Sequence, residues 1–546
     1  MSSAKRRERR GETPRRPEQL FDRTPAGPLR LFKVPLAFTA GLLALTALPR
    51  IQASERLSWS FWGAGAVLLG WLALLAVRAL REGAPAIHLA PPRRQHYIQA
   101  CCHLTVYAYW GYYWRPVYDF APLLAGQLLF AYAFDLLLSW SRRESYGLGF
   151  GPFPIIFSTN LFLWFVDDWF AFQFLLVAVG FAGKAFVRWE RDVEPGAPSA
   201  APALGSKRVH IFNPSAFTLA IFSVVLLATG TTHLTWGQEI ATTFSLGPHI
   251  YKVLFAVGLV VMYFFAITPV TAMAALTLFS GSMLYTAITG VPYFVDSDIP
   301  SAVFLGLHLL VTDPSTSPRT PLGRAIFGVL YGLGVFGLYA LLGALGMPTF
   351  YDKLLCVPLL NLAVPWIDRT VRRVGERPLL HALGLDPPLG RANLAHMAVW
   401  VLIFGVMTMV GAADGMHKGD SLPFWQQACS ADKPQACARL LRIEASYCGD
   451  NTGWACNELG RHYTEGQLVP ADPDRAFAYF SRACEARFQA GCVNLLDSST
   501  PARANPRTFD LRLLGREGGP NLMTMAEPEL HARACRHGWE FACASR

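Results

Sequence analysis

Long apolar runs separated by short basic segments fill most of the chain up to about residue 410. A helix that crosses a bilayer needs roughly 20 apolar residues. Of all 546 residues, 52% are hydrophobic and only 16% are charged, whereas soluble domains carry about 25% charged residues. The chain is therefore predicted to be an all-α, polytopic membrane protein, and its composition excludes a coiled coil, collagen and a disordered protein.

About thirteen transmembrane helices are predicted from these runs. Three of the runs, at Pro154, Pro300 and Leu354, are shorter than the others. The predicted helices begin near Leu31, Ser58, Tyr97, Phe120, Pro154, Trp169, Pro214, Ile250, Pro269, Pro300, Ala325, Leu354 and Ala395.

The basic residues between the runs predict the orientation, because lysine and arginine are retained in cytoplasmic loops. Residues 1–30 are basic and rich in proline, and we expect a disordered cytoplasmic tail. If this end lies on the cytoplasmic side of a bacterial inner membrane, everything after Ala412 is predicted to lie in the periplasm. The predicted inner loops carry Arg93, Arg94, Arg142, Arg143, Arg188, Lys207, Arg208, Arg319, Arg324, Arg369, Arg372, Arg373, Arg377 and Arg391. The predicted outer loops carry Asp167, Asp168, Glu239, Asp296 and Asp298.

Eight of the eleven cysteines form four pairs at one spacing after the last apolar run. Seven residues separate the members of each pair, which brings a thiol at the end of one helix near a thiol at the start of an antiparallel helix. Zinc sites use closer spacings such as C-x2-C. Together with the periplasmic location, the spacing predicts four disulfides. The pairs are Cys429 with Cys437, Cys448 with Cys456, Cys484 with Cys492, and Cys535 with Cys543.

The second and third cysteine pairs are about 36 residues apart, the length of a helix-turn-helix repeat. The segment between them resembles the Sel-like repeat family, through Ala455, Leu459, Gly460, Tyr463, Gly466, Asp472, Ala476, Tyr479, Ala483 and Gly491. The resemblance implies a soluble repeat domain over residues 415–546, interrupted by an insertion at 498–520. Such arrays commonly bind proteins on a concave face. A stabilising cap without a ligand is the alternative.

Two polar motifs interrupt the apolar core. In the first, Asn213 and Pro214 suit the start of a helix as an N-cap and a first-turn proline. The second runs from Thr312 and Asp313 to Arg324 and contains three prolines, which preclude a regular helix. Non-helical backbone at membrane depth is tolerated where it lines a cavity or is buried in protein. The first motif could be a helix cap and nothing more.

These motifs, followed by a third segment at 359–368, resemble the D subunit of the Rnf electron-transport complex and the homologous B subunit of the sodium-pumping NADH:quinone oxidoreductase. The three segments fall in the same order as in that family. The resemblance divides the chain into a cytoplasmic tail (1–30), two additional helices (31–93), a ten-helix core (94–373), a loop with a last helix (374–414) and the repeat domain (415–546).

The resemblance implies a flavoprotein that moves electrons in the membrane. Family members carry FMN on a threonine in an outward segment, to which Thr242 corresponds here, although the Ser-Gly that precedes it in the family is missing. A plain interfacial loop is the other interpretation. The family also implies a second, noncovalent flavin, FMN or riboflavin, for which Asn213, Thr312 and Asp313 are the candidate contacts.

Asp135 and Lys184 are charged residues within apolar runs, where a charge is costly unless it is paired or faces a cavity. They form either a structural ion pair or part of an ion path. His103, His210, His249 and His308 are interpreted as capping or packing residues. An aromatic run at 107–114 fits an interfacial belt, with stacking on a flavin as the alternative.

Three functions compete on this sequence. The first is a flavin-binding electron-transfer subunit, possible only with other membrane subunits because no dinucleotide, Walker or C-x2-C iron–sulfur motif occurs. The second is a flavin-free scaffold that presents the repeat domain to a periplasmic protein. The third is a small-molecule transporter like the relatives found near enediyne-type biosynthetic pathways. Nucleic acid is not an expected partner, and no catalytic or metal-binding residue is predicted.

Overall fold

The computed structural model describes residues 30–82, 86–192, 206–295, 297–374, 389–414, 417–449, 452–466, 468–486 and 488–496. Most of the predicted tail, the insertion at 498–520 and the cysteines Cys535 and Cys543 lie outside the described residues. Asp296 and Arg377 also lie outside them.

The described chain is predominantly helical, as predicted. Its first sixteen α-helices are α1 (Lys33–Ala44), α2 (Pro49–Gln52), α3 (Glu55–Glu82), α4 (Arg94–Tyr113), α5 (Pro116–Asp119), α6 (Ala121–Ser141), α7 (Pro152–Asn160), α8 (Ala171–Phe186), α9 (Pro214–Thr229), α10 (Gly237–Phe244), α11 (Ile250–Phe265), α12 (Thr268–Thr289), α13 (Ser301–Leu309), α14 (Pro321–Ala344), α15 (Asp352–Val374) and α16 (Leu389–Met409). Five further helices follow in the cysteine-rich segment: α17 (Leu422–Ser430), α18 (Ala436–Gly449), α19 (Gly453–Glu465), α20 (Pro473–Glu485) and α21 (Gln489–Leu496).

Six of the described helices are long and apolar enough to cross a membrane. They are α3, α12, α14, α15, α16 and the continuous span formed by α5 and α6. Four shorter apolar helices accompany them, namely α1 with its 3-10 extension, α8, α9 and α11. The run at Leu354, expected to be short, forms the 23-residue helix α15. The runs at Pro154 and Pro300 form helices of nine residues each, α7 and α13. At 1.5 Å per residue, each of these is about 14 Å long and covers half of a bilayer core.

Ten of the twelve helices described from α4 to α15 fall into two successive sets of five, with the short α5 and α10 left out: α4, α6, α7, α8, α9 and α11, α12, α13, α14, α15. In both sets the third helix is the nine-residue one, and an irregular segment follows it. The first helices of the two sets pack against each other, and so do the last helices, α9 and α15. This arrangement is typical of membrane proteins built from an internal repeat.

Glycines allow the closest helix pair, α12 with α14, to form. A Cβ atom at Gly328 would collide with the carbonyl oxygen of Val270, and one at Gly332 would lie 2.8 Å from the Cβ of Thr277. Small residues let membrane helices approach in this way, and the glycine pattern of α14 accounts for the contact.

Three disulfides link the helices of the segment 417–496, which we call the disulfide domain. The bonds Cys429–Cys437, Cys448–Cys456 and Cys484–Cys492 join α17 to α18, α18 to α19 and α20 to α21. The three predicted pairs within the described residues are therefore confirmed. Trp425 and Trp454 lie in the core of this domain, which also contains Val291 from the segment after α12.

The disulfide domain lies at one end of the bundle, which we call the disulfide end. Arg439 donates to the carbonyl oxygens of Pro292 and Tyr293, and Arg442 donates to Gly343 near the last residue of α14 at 2.7 Å. The first residues of α14 lie about 36 Å away, beside Arg319 and Arg324. We call that end the arginine end.

Four short strands are the departure from the predicted all-α fold. Strand β1 (Ile87–Leu89) pairs in parallel with β2 (Tyr146–Leu148), and β3 (Arg188–Asp192) pairs antiparallel with β4 (Ser206–His210). Both sheets have two strands and join loops at the arginine end. Sequence patterns do not identify them because β1 and β2 are only three residues long and β3 and β4 consist mostly of charged and polar residues.

Candidate functional site

Asn213 joins three elements at the arginine end. Its side-chain Oδ1 accepts hydrogen bonds from the backbone N–H groups of Ser215 and Ala216, so it is the N-cap of α9 as predicted. Its Nδ2 donates to the carbonyl oxygen of Leu310 at 2.9 Å, immediately after α13. Its backbone N–H donates to Oδ1 of Asn361 on α15 at 3.2 Å. Asn213 is therefore more than a helix cap.

The third segment of the resemblance meets the second at the same place. Asn361 donates from Nδ2 to the carbonyl oxygen of Thr316 at 3.2 Å, and Oδ1 of Asp368 accepts from the N–H of Arg319 at 3.2 Å. The Thr316 carbonyl oxygen and the Arg319 N–H both belong to the proline-rich segment between α13 and α14. The three motifs, separate in the sequence, thus form one polar cluster at the arginine end.

Short-range hydrogen bonds shape the segment that starts at Thr312. The Thr312 hydroxyl donates to the carbonyl oxygen of His308 at 2.6 Å, and Oδ1 of Asp313 accepts from both the N–H and the hydroxyl of Ser315. Nε2 of His210 lies 2.9 Å from the Ser315 hydroxyl oxygen and 3.9 Å from the Asp313 carboxylate. The Ser315 hydroxyl, the Asp313 carboxylate and the imidazole of His210 from β4 therefore form one network that can exchange protons or hold a polar ligand.

Arg324 connects this cluster to the second set of helices. Its Nε donates to the carbonyl oxygen of Pro318 at 3.0 Å, and its guanidinium also donates to Ala266 at 2.6 Å, just after α11. A guanidinium on two carbonyl groups stabilises a backbone that has no helical hydrogen bonds of its own. The cluster is thus built mostly from side chains that bond to irregular backbone.

A second buried polar cluster, which sequence reasoning missed, lies at the end of the other nine-residue helix. Nδ2 of Asn160 donates to Oε1 of Gln127 at 2.8 Å, and Nε2 of Gln173 donates to Oδ1 of Asn160 at 3.1 Å. Oε1 of Gln173 accepts the N–H of Phe165 at 3.0 Å. All three amide side chains are fully buried. The signal available in the sequence was one amide in each of three neighbouring apolar helices.

Thr242 does not join the cluster at Asn213. It lies on α10, which follows α9 and therefore lies at the opposite end of a helix about 24 Å long. Its side chain is exposed, and its hydroxyl donates to the backbone carbonyl groups of Gln238 and Glu239. Of the four predicted cofactor contacts, Asn213, Thr312 and Asp313 lie together, and Thr242 is at the disulfide end.

Asp135 and Lys184 lie on α6 and α8, two helices that pack against each other. Nζ of Lys184 also lies 5.6 Å from the centre of the Phe181 ring. The predicted structural pair is therefore compatible with the fold, and the alternative ion path is untested.

The histidines serve capping and packing roles, as interpreted from the sequence. His103 contacts the carbonyl oxygen of Gln99 and the hydroxyl of Ser158 through its two ring nitrogens, at 2.8 and 3.0 Å. His308 is held by Phe304 and packs near Trp400, and His249 precedes the first residue of α11. His210 differs because it belongs to the network of Ser315 and Asp313.

The aromatic run at 107–114 divides into two classes. Tyr107, Trp110 and Trp114 are buried, whereas Tyr112 is 72% exposed. The buried rings do not belong to an interfacial belt, which stays a prediction for the exposed Tyr112. Helical spacing explains the division, since residues three and four apart lie on one face of α4 and pack into the core.

Comparison of the chain with models of known protein families gives no match, and no curated protein is significantly similar to it. The resemblance to the Rnf subunit stays a prediction made from the three motifs.

Proposed function

We propose that the chain is a membrane subunit of an electron-transport complex, related to the D subunit of Rnf. The observation that carries the proposal is the hydrogen bonding of Asn213 to Leu310 and Asn361. It brings together the three segments on which the resemblance rests, although almost 150 residues separate the outer two. A chance likeness of separate segments gives no reason for them to meet in space.

The proposed topology has thirteen crossings in a bacterial inner membrane, with a cytoplasmic N-terminus and a periplasmic disulfide domain. Two of the crossings are α7 and α13, each completed by the irregular segment that follows it. The arginines of the predicted inner loops gather at the arginine end, whereas Arg50 and Arg56 at the disulfide end are paired with Asp167 and Asp168. This difference and the disulfides at the other end support the orientation, because cytoplasmic loops retain arginine and disulfides persist outside the cytoplasm.

Electron transfer would require a flavin, FMN or riboflavin, for which the structure offers two places. The exposed Thr242 hydroxyl is accessible to a phosphoester linkage at the disulfide end. The cluster of Asn213, Thr312 and Asp313 offers hydrogen-bonding groups for a noncovalent flavin at the arginine end. A flavin bound at these groups would supply the redox chemistry, and the donor and acceptor would be other membrane subunits.

The experiment is a flavin analysis of the full-length protein purified in detergent. Absorbance of the native protein reports any flavin, and fluorescence of the band on a denaturing gel reports covalent flavin. We expect a flavin spectrum in the native protein. A fluorescent band that is lost in Thr242→Ala and retained in Ser245→Ala, a neighbouring hydroxyl, would establish the attachment site.

A native protein without flavin, isolated from cells that assemble flavoprotein complexes, would contradict the proposal. A native flavin without a fluorescent band would leave electron transfer in place and assign the flavin to the cluster of Asn213. In that case, Thr312→Ala is expected to lower the flavin content, because it removes a hydroxyl from the cluster.

Transport of a small solute is the second candidate, and the paired nine-residue helices favour it. Interrupted helices at matching positions of two repeats form the substrate sites of many transporters. In this function Gln127, Asn160 and Gln173 would take the place of the flavin contacts. Solute uptake by vesicles that contain flavin-free protein distinguishes this candidate, whereas a scaffold would show neither uptake nor flavin.

The disulfide domain is proposed to be a Sel-like repeat array that binds a periplasmic protein. Its second and third disulfides lie 36 residues apart, which is the repeat spacing noted in the sequence. Phe477 and Val493 are apolar residues left exposed on it. If the array binds a protein, charged substitutions at these positions will abolish capture by cross-linking in intact cells, whereas a stabilising cap will tolerate them.

A further inference from the structure

A cavity of about 560 Å³ lies at the disulfide end, beside the irregular segment that follows α7. Its volume falls in the range of small-molecule sites, roughly 300–1,000 Å³. Neither the proposed flavin contacts nor the Sel-like array accounts for it. The question is which ligand its walls would accept.

Five of the twelve residues that line the cavity are aromatic. The ring of Trp164 stacks on Phe120 with centroids 4.0 Å apart and on Trp114 at 5.5 Å, and Trp114 also contacts Trp236 at 6.2 Å. Trp114 and Trp164 are buried, whereas Trp236 is 39% exposed and borders the opening. Such a surface favours a bulky apolar or aromatic ligand.

Backbone hydrogen bonds hold this wall in place. The N–H of Trp236 donates to the carbonyl oxygen of Trp164 at 2.7 Å, and the indole N–H of Trp164 donates to the carbonyl oxygen of Asn160. The next residue, Phe165, is fixed by Gln173 at 3.0 Å. Because the rings are already positioned, a ligand would bind without the cost of ordering them.

The polar lining has an excess of negative charge. Asp119, Asp167 and Asp168 line the cavity together with one cation, Arg50. Arg50 makes two hydrogen bonds of 2.8 Å to Asp167, and Arg56 reaches Asp168 at 3.3 Å. Within the described part of the chain, no side-chain hydrogen bond or ion pair is seen for Asp119. A carboxylate beside aromatic rings attracts cations and repels anions.

We propose that this cavity binds a lipophilic organic cation from the side of the disulfide domain. The apolar body would lie against the exposed ring of Trp236, which the buried Trp114 and Trp164 support from behind, and the positive charge would lie near Asp119. The inference is independent of whether the protein carries a flavin, because none of these residues belongs to the proposed flavin contacts.

The test is equilibrium dialysis of the full-length protein in a nonionic detergent against labelled tetraphenylphosphonium. Tetraphenylborate has nearly the same size and shape with the opposite charge, and its binding is the matched control, measured in a separate dialysis because the two ions precipitate together. We expect saturable binding of tetraphenylphosphonium and no saturable binding of tetraphenylborate. Asp119→Asn is expected to weaken it about tenfold, and Trp236→Ala about fivefold.

Two control variants remove a carboxylate and an aromatic ring at positions outside the cavity. Asp432→Asn removes an exposed carboxylate of the disulfide domain, and Tyr112→Ala removes an exposed ring of α4. Both are expected to bind like the unaltered protein. Binding that is not saturable, equal binding of tetraphenylborate, or identical affinities in the cavity and control variants would overturn the proposal, since each shows that this cavity does not select an organic cation.

Discussion

The side-chain oxygen of Asn361 accepts the backbone N–H of Asn213 at 3.2 Å, across 148 residues of sequence. The bond lies where the last helices of the two five-helix sets, α9 and α15, pack together. It is therefore a direct connection between the two halves of the core, made next to the irregular segment that follows α13.

Asn361→Ala is expected to destabilise the folded core by about 1–2 kcal/mol. The substitution leaves two buried backbone groups without partners, the N–H of Asn213 and the carbonyl oxygen of Thr316. Thermal unfolding of the purified protein in detergent measures the effect. Leu359→Ala, at an exposed position of the same helix, is the control. Equal melting temperatures for the two variants would show that the bonds contribute nothing to stability.

Arg439→Ala is expected to weaken the docking of the disulfide domain on the bundle. The Arg439 side chain is almost fully buried, and its guanidinium donates to the carbonyl oxygens of Pro292 and Tyr293. Loss of both bonds exposes the segment after α12 to solvent, so limited proteolysis of the folded protein should cleave it at least several-fold faster. Arg475→Ala changes an arginine on the surface of the same domain and should leave the cleavage rate unchanged. Equal cleavage in both variants would mean that other contacts hold the domain.

Glu444 makes the stability of the disulfide domain depend on pH. Burial raises the pKa of its carboxyl, and the hydrogen bond from His462 at 3.0 Å opposes the rise. Glu458 and Arg461 are the other charged groups that act on it, with opposite signs. The pKa of Glu444 is higher in the folded than in the unfolded state. The free energy of unfolding is therefore not reduced by Glu444 below its unfolded pKa of about 4.3, and it falls as the pH rises through the folded-state pKa.

Glu444→Gln has no carboxyl to ionise at this position and should therefore lose less stability as the pH rises. The difference in free energy of unfolding between the variant and the unaltered protein should increase in favour of the variant above about pH 4.3. Hydrogen exchange of the amides of α18 and α19 in the full chain, corrected for intrinsic rates, provides the measurement. Glu485→Gln alters an exposed carboxylate and serves as the control. If the relative stability of Glu444→Gln falls with increasing pH, the assigned direction of the pKa shift is wrong.

Local signals account for the features that were predicted from the sequence. The spacing of the cysteines determines whether adjacent helices can share a disulfide, and three pairs formed as expected. The cap at Asn213 was predictable because an Asn-Pro pair suits the first turn of a helix whatever surrounds it. Apolar runs likewise predicted where most helices of the bundle begin.

Hydrogen bonds between residues far apart in the sequence could not be predicted, because no local pattern encodes them. Asn213 was identified, but its partner Asn361 was not, since hydrogen-bonding capacity alone does not select between distant amides. Gln127 and Gln173 were missed for the same reason. A single amide in an apolar helix has the same sequence signature whether it faces lipid, another helix or a buried network.

The orientation of the two ends is the claim on which the whole account depends, and cysteine labelling measures it directly. Cysteines introduced at Trp169 and Leu89, both exposed, report on the disulfide end and the arginine end in a Cys101→Ser background, which removes the exposed free thiol. In intact cells with a permeabilised outer membrane, a membrane-impermeant maleimide should label Trp169→Cys at once and Leu89→Cys only after lysis. Labelling of Leu89→Cys in intact cells, with Trp169→Cys protected until lysis, would contradict the account.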